Sequence, residues 1–354
     1  MVSKYKISDK AILTDSDGTR DMIVDGTVYY NDSDGKTLTI TNTIRSLSPD
    51  YFTDYFALPP YTFQGSTSGY TSGGSTPSGR SNVIDKFPFS SDANATDVGD
   101  LLLDISGVAG QSSNTHGYTS GGSPSKDIIQ KFSFSVDGNA TDVGDLTIIR
   151  EGATGQSSSE NGYTSGGFDE TFSNPPYQRD EIDKFPFSTD ANATDVGNLT
   201  ETRGAVAGQS SASNGYTSGG ILGSFAYTNV IDKFPFSTDA NATDVGDLTQ
   251  QRQYSAGQSS STHGYTDGGY PPDNLNTDII DKFSFASDGN ATDVGNMLSG
   301  GNKDMAGQSS TANGYISGGT LSNVIQKFPF SADANATDVG DLTVARGESA
   351  EQQV

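Results

Sequence analysis

Apolar and polar positions alternate over short runs along most of this chain, and the same runs return six times. Val230-Ile231-Asp232-Lys233-Phe234-Pro235-Phe236 is one of them, alternating at its start. A period of two is the mark of a strand. Three further strands are predicted around it in the same unit. They are Ala207-Gly208-Gln209-Ser210-Ser211, then Gly215-Tyr216-Thr217-Ser218 ending in Gly219-Gly220, and Thr243-Asp244-Val245-Gly246-Asp247-Leu248. GYTSGG or a close variant starts at Gly69, Gly117, Gly162, Gly215, Gly264 and Gly314, with spacings of 48, 45, 53, 49 and 50 residues. A period of this length with strand patterning indicates propeller blades or a β-solenoid. Four antiparallel strands per unit is the architecture of a blade. The pattern therefore predicts an all-β chain, with a six-bladed propeller over residues 59–354.

Residues 1–58 stand outside the repeat. Ala11–Thr14, Asp21–Val24, Thr27–Tyr30 and Lys36–Ile40 read as short strands, separated by Asp- and Gly-rich turns. They predict a small antiparallel sheet. Ser48-Pro49-Asp50 has the chemistry of a helix start, predicting a short helix through Ala57 that Pro59-Pro60 would end. A segment of this size makes a poor core alone, so it is expected to dock on the repeat domain or on a partner protein.

The repeats resemble the kelch family. In the fourth unit Arg203, Gly215 to Gly220, Phe234 with Phe236, and Val245 occupy the places of that family's pattern. The resemblance implies a kelch-like six-bladed β-propeller in which the arginines bond between blades. Val98, Val143, Val196, Val245, Val294 and Val339 stand where kelch blades carry Trp. A second resemblance is to the Asp-box of sialidase-like propellers: Ser90-x-Asp92-x-Asn94-x-Thr96 recurs as Ser135 to Thr141 and Ser188 to Thr194. Its residues predict a turn whose Asp and Asn side chains satisfy exposed amides. A calcium site there is the weaker reading, since each copy offers few oxygens. The Asn-Ala-Thr triplets are formal glycosylation sequons and are expected to mark exposed turns.

The formal net charge of −24 argues against a nucleic-acid or anionic membrane surface as partner, since binding phosphates needs Lys and Arg clusters. No apolar run is long enough to span a membrane, so no membrane insertion is expected. The chain has no Cys, so no disulfide is possible. Met1 to Lys6 is not followed by the apolar stretch of a secretory signal. No Walker loop, HExxH, G-x-S-x-G elbow or Cys/His metal set occurs. The copper site of kelch-type oxidases needs a Cys that this chain lacks. Asp and Glu recur with the repeat, whereas an active site occurs once per ring. A non-enzymatic protein without cofactor or metal is expected.

Loops between strands one and two, and between three and four, share one face of a meander and hardly change between units. The opposite face carries the variable loops: 75–81, 123–126, 168–179, 221–228, 270–277 and 320–322. Loops on a rigid scaffold are where recognition sits, and aromatics and Arg anchor interfaces. The candidate ligand-binding residues are therefore Phe168, Phe172, Tyr177, Arg179, Phe225, Tyr227 and Tyr270. Arg150, Arg203 and Arg252 join them from the connections between units. Units two and five share His116 and His263, Ser133 and Ser284 in place of Pro, and Gly138 and Gly289 in place of Ala, which implies a duplicated three-unit block. Either Tyr61 to Ser68 or the tail at Ala350-Glu351-Gln352 is expected to close the ring.

Uniform repeats behind a docking segment look like virion proteins of tailed phages. That resemblance implies a virion location, as a tail or fibre appendage within a larger assembly. The N-terminal segment would bind other virion proteins, and the propeller a host surface glycan or protein. The alternatives are a kelch-like protein–protein interaction scaffold, cytoplasmic or extracellular, and a carbohydrate-active propeller enzyme or lectin.

Overall fold

In the computed structural model the chain divides into two compact units, Met1–Pro60 and Tyr61–Val354. The described residues are 64–354, apart from 125, 170–176, 274–275, 299–302 and 321, together with the backbone of six strands between residues 4 and 46.

The first unit holds two three-stranded antiparallel sheets where one was expected. Lys10–Thr14 pairs with Asp21–Asp25, and Val28–Asn31 with Thr37–Ile40. Each pair gains a strand without an apolar signature: Ile44–Ser46 joins the first and Lys4–Lys6 the second. The acidic turns and the helix predicted from Ser48 lie outside the described residues.

The second unit is a six-bladed β-propeller, each blade a four-stranded antiparallel sheet. Blade 4 shows the pattern: Ala207–Ser210 innermost, then Asn214–Ser218, Val230–Pro235, and Thr243–Asp247 at the rim. Blade 1 is completed by the tail. Ala350–Gln353 pairs with Ser68–Ser72, so the last strand of the chain closes the ring against the first of the repeats. Residues Gln64 to Thr67 instead run along the constant face, where Gly65 N–H donates to the Ser309 carbonyl and the Gly65 carbonyl accepts from Thr311 N–H.

Blades pack face to face, so both sides of each sheet are covered. Alternate residues of the third strand therefore reach opposite neighbours. Phe234 and Phe236 pack on Tyr163 of blade 3, with ring centroids 5.6 and 4.8 Å away. Ile231 turns the other way, into a cluster with Tyr216, Leu248 and Phe283 of blades 4 and 5. The same Tyr and Phe-x-Phe contact joins Tyr118 to Phe185 and Phe187, Tyr216 to Phe283 and Phe285, and Tyr265 to Phe328 and Phe330. Tyr315 to Phe87 and Phe89, and Tyr70 to Phe132 and Phe134, complete the circle.

Polar contacts repeat around the ring in the same way. A buried Gln of each innermost strand donates to the carbonyl of the next blade's Tyr: Gln111 to Tyr163, Gln156 to Tyr216, Gln209 to Tyr265, Gln258 to Tyr315, Gln308 to Tyr70 and Gln352 to Tyr118. The predicted Asp-box turns serve as latches. Asn94 Oδ1 accepts from the Asp341 amide of the preceding blade, and Asn139, Asn192, Asn241, Asn290 and Asn335 repeat the bond. Beside each latch lies a Lys–Asp ion pair across the same junction, as in Lys327–Asp92 and Lys86–Asp137. Among the described residues no three acidic or His side chains are grouped so as to hold a metal ion.

The three-unit signature is local. His116 lies directly opposite Ser133, and His263 opposite Ser284. In blades 3, 4 and 6 the pair is Asn opposite Pro, and in blade 1 it is Ser opposite Pro. A ring on one strand faces a small or unbranched side chain on the other, so the two positions change together.

Candidate functional site

The innermost strands approach so closely that glycine lines their contact. A Cβ on Gly110, Gly155, Gly208, Gly257 or Gly307 would stand 1.8 to 2.5 Å from the carbonyl oxygen at the equivalent position of the preceding blade. The sixth equivalent is Glu351, the one residue of this set with a side chain.

Toward the variable face the axis widens into a well of about 480 Å³, lined by residues from all six blades. A closed collar of backbone hydrogen bonds forms its wall. Gly107 N–H donates to the Glu348 carbonyl, Gly152 to Gly107, Ala205 to Gly152, Tyr254 to Ala205, Asp304 to Tyr254 and Glu348 to Asp304, at 2.6 to 3.0 Å. The collar needs a left-handed backbone at each step, with φ between 54° and 63° in all six residues. Glycine adopts this conformation without strain; other residues do so at a cost. Only blades 2 and 3 are entered through glycine here, and Tyr254, Asp304 and Glu348 carry large polar side chains instead.

Four carboxylates therefore line the well: Glu151, Asp304, Glu348 and Glu351, against the single base Arg80. Burial pushes the Glu351 carboxyl up to about 8, opposed only by a hydrogen bond to its own backbone. Burial likewise raises Asp304, which Thr320 Oγ1 and Lys303 partly hold down. The Tyr254 phenol is pushed up to about 12, first by burial and then by the charges of Asp304, Glu348 and Glu151. Phe168 completes the wall, its ring lying against the backbone of Gly152 and Gly204. At the rim the Lys303 ammonium lies 5.8 Å from the Tyr254 ring centre and 4.9 Å from that of Tyr270.

The residues singled out from the sequence divide sharply. Phe168 lines the well. Tyr227 and Tyr270 are half-buried neighbours with ring centres 6.5 Å apart. Phe225 is 59% exposed on the same face, at φ 63°. Tyr177 and Arg179 are half-buried, and Arg179 pairs with Asp169 at 2.6 Å within its own loop. Phe172 lies outside the described residues.

Arg150, Arg203 and Arg252 do not reach the surface. All three are fully buried and bridge to the next blade, to Asp183, Asp232 and Asp281, and Arg346 bridges likewise to Asp85. They serve packing between blades because the connection turns their side chains into the junction. Sequence reasoning missed Glu151, Tyr254, Asp304, Glu348 and Glu351. The signal was present in the first residues of each connection, which differ between units, and in Glu351 standing at the Gly of Ala-Gly-Gln.

Compared with known proteins, the chain matches no family model and no curated protein sequence.

Proposed function

We propose that this chain is a non-enzymatic recognition protein whose propeller presents the variable face, with its axial well, to a partner. A propeller suits such work, because a rigid ring carries loops that are free to differ. One observation carries the reading. The constant face repeats its latches at every junction, whereas the collar holds glycine in two units and Tyr254, Asp304 and Glu348 in three others. A purely structural collar gains nothing from left-handed Tyr, Asp and Glu where glycine fits.

The chain enters the propeller along the constant face, through Gln64 to Thr67, which leaves the variable face clear of that entry. The setting is an appendage of a tailed-phage virion, with the N-terminal unit as its attachment and a host glycan or protein as ligand. We propose that setting on the sequence resemblance.

The test is binding of the full chain to glycan and peptide arrays. Binding that survives Lys131→Ala on the constant face and is lost in the Tyr227→Ala, Tyr270→Ala double variant supports the reading. Turnover of a model glycoside, abolished by Glu348→Gln, would replace it with an enzyme. Mass spectrometry of purified particles decides the virion setting: absence of the chain from them removes it.

A further inference from the structure

We infer that the axial well binds an organic cation, an alkylammonium or alkylguanidinium group, with Glu351 as the carboxylate at its floor. The inference rests on the reading of the variable face as the recognition face and names the chemistry that face selects.

Charge is the first argument. Glu151, Asp304, Glu348 and Glu351 share one concave, partly desolvated space with Arg80 as the base among its lining residues, and Lys303 at the rim pairs with Asp304 at 4.0 Å. A cleft lined by one sign of charge focuses its field and concentrates the opposite ion.

Glu351 is the second and independent argument. Its five equivalents are glycine, and the one hydrogen bond that opposes the effect of burial on its carboxyl is to its own backbone. By accessible area it is half-buried, but it lies deep in the molecule and lines the well. A carboxylate that burial penalises, held only by a bond to its own backbone, is costly to ionise unless a charge pairs with it. The inner ring closes on glycine everywhere else, so no packing requirement calls for this side chain.

Shape is the third. Tyr254 and Phe168 present aromatic surface to the same space, and ring faces attract ammonium and guanidinium groups. The Lys303 ammonium already lies over the rings of Tyr254 and Tyr270 at the rim, a cation held by aromatic faces in this chain itself. Among the described residues no three carboxylates gather closely enough for a bare metal ion, so the charge suits a larger, delocalised or tethered cation.

Binding a cation favours the ionised Glu351 and so expels its proton. The other titratable or charged groups lining the well are Glu151, Tyr254, Asp304, Glu348 and Arg80. Affinity therefore increases as pH rises toward about 8, the value to which burial pushes Glu351.

Calorimetric titration of the full chain with n-butylammonium, n-propylguanidinium, the neutral n-butanol and a short peptide with one central arginine tests this. The expected result is one saturable site for the cations and none for butanol. Proton release should be seen in buffers of different ionisation enthalpy. Affinity should fall roughly tenfold in Glu351→Gln, the scale of one charged hydrogen bond. Asp304→Asn and Glu348→Gln give the same reading should Glu351→Gln fail to fold. Tighter binding of the peptide than of free guanidinium assigns the cation to a partner's side chain; the reverse assigns it to a small molecule. Both support the inference. Equal binding of butanol, no saturation by any cation, or unchanged affinity in all three variants overturns it. Array ligands that bind the variable face without any cation binding would overturn this inference alone and leave the recognition reading standing.

Discussion

Asp267 occupies the position where the other five blades place Ser72, Ser120, Ser165, Ser218 and Ser317. Those serines bond across the junction to a Thr hydroxyl of the next blade, as Ser218 does to Thr266 at 2.8 Å. In blade 6 the Thr is replaced by Ile316, and neither oxygen of the fully buried Asp267 meets a donor in good hydrogen-bond geometry. Burial drives its pKa well above the ordinary carboxyl range, against the pull of Arg252 and of the Gln258 amide. The folded state therefore keeps a proton that the unfolded state loses at lower pH. Stability from this site is fully present below the unfolded carboxyl pKa and is lost as pH rises through the folded one. Replacing Asp267→Ser with Ile316→Thr should stabilise the protein at neutral pH by about 1–3 kcal/mol, the cost of an unsatisfied buried polar group. The gain should shrink in acid. Urea midpoints of both proteins across that range measure it; a gain independent of pH would show that Asp267 does not titrate there.

Each junction between blades is an element with its own polar core, and it comes in two forms. In the first, a buried Asp accepts from a Thr hydroxyl, the same Thr amide and an Arg: Thr200 and Arg203 on Asp232, for example. In the second, at blades 1–2 and 5–6, a Leu amide donates instead to a Gln, Leu102 to Gln130 and Leu298 to Gln326, at 2.7 Å. Ile105 stands in the first of these where the other form has Arg. The chain thus contains both solutions, and they exchange as sets. Removing one member of a buried ion pair typically costs about 3–5 kcal/mol, because the other charge is left without a partner. Arg203→Ile should show that loss in urea unfolding. Adding Thr200→Leu and Asp232→Gln should recover most of it by reproducing the blade 1–2 junction. A triple variant no better than the single one would mean that the set does not transfer. This pairing also shows why the arginines misled. Their positions in the connections were legible, but the direction of a side chain at the edge of a sheet depends on the blade beside it.

At the scale of the whole molecule, stability depends on closure. The strand Ala350–Gln353 covers the edge of Ser68–Ser72, and Gln352 reaches on to the Tyr118 carbonyl of blade 2. The circle of Gln–Tyr bonds is complete only through it. Deleting Ala350 to Val354 leaves an open, mainly buried strand as an edge, the situation that invites pairing between chains. The expected outcome is a lower Tm with concentration-dependent aggregation, followed by thermal melting with light scattering. A truncated chain that melts like the full one would show that the ring holds without its last strand.

The repeat alone carried the strand content of the propeller, the number of blades and the two faces. These follow from short-range facts: side-chain alternation, turn residues and a fixed period. It also carried the placement of the Asn-Ala-Thr triplets in exposed turns, but not the bond that each Asn makes to the preceding blade. The closing strand was left between two segments, because a strand's partner across hundreds of residues leaves no trace in its own pattern. The burial of Arg150, Arg203 and Arg252 and the assembly of Glu151, Tyr254, Asp304, Glu348 and Glu351 around one axis were decided only in three dimensions. A ring turns equivalent positions of six distant segments into neighbours, and the properties of the well belong to that convergence.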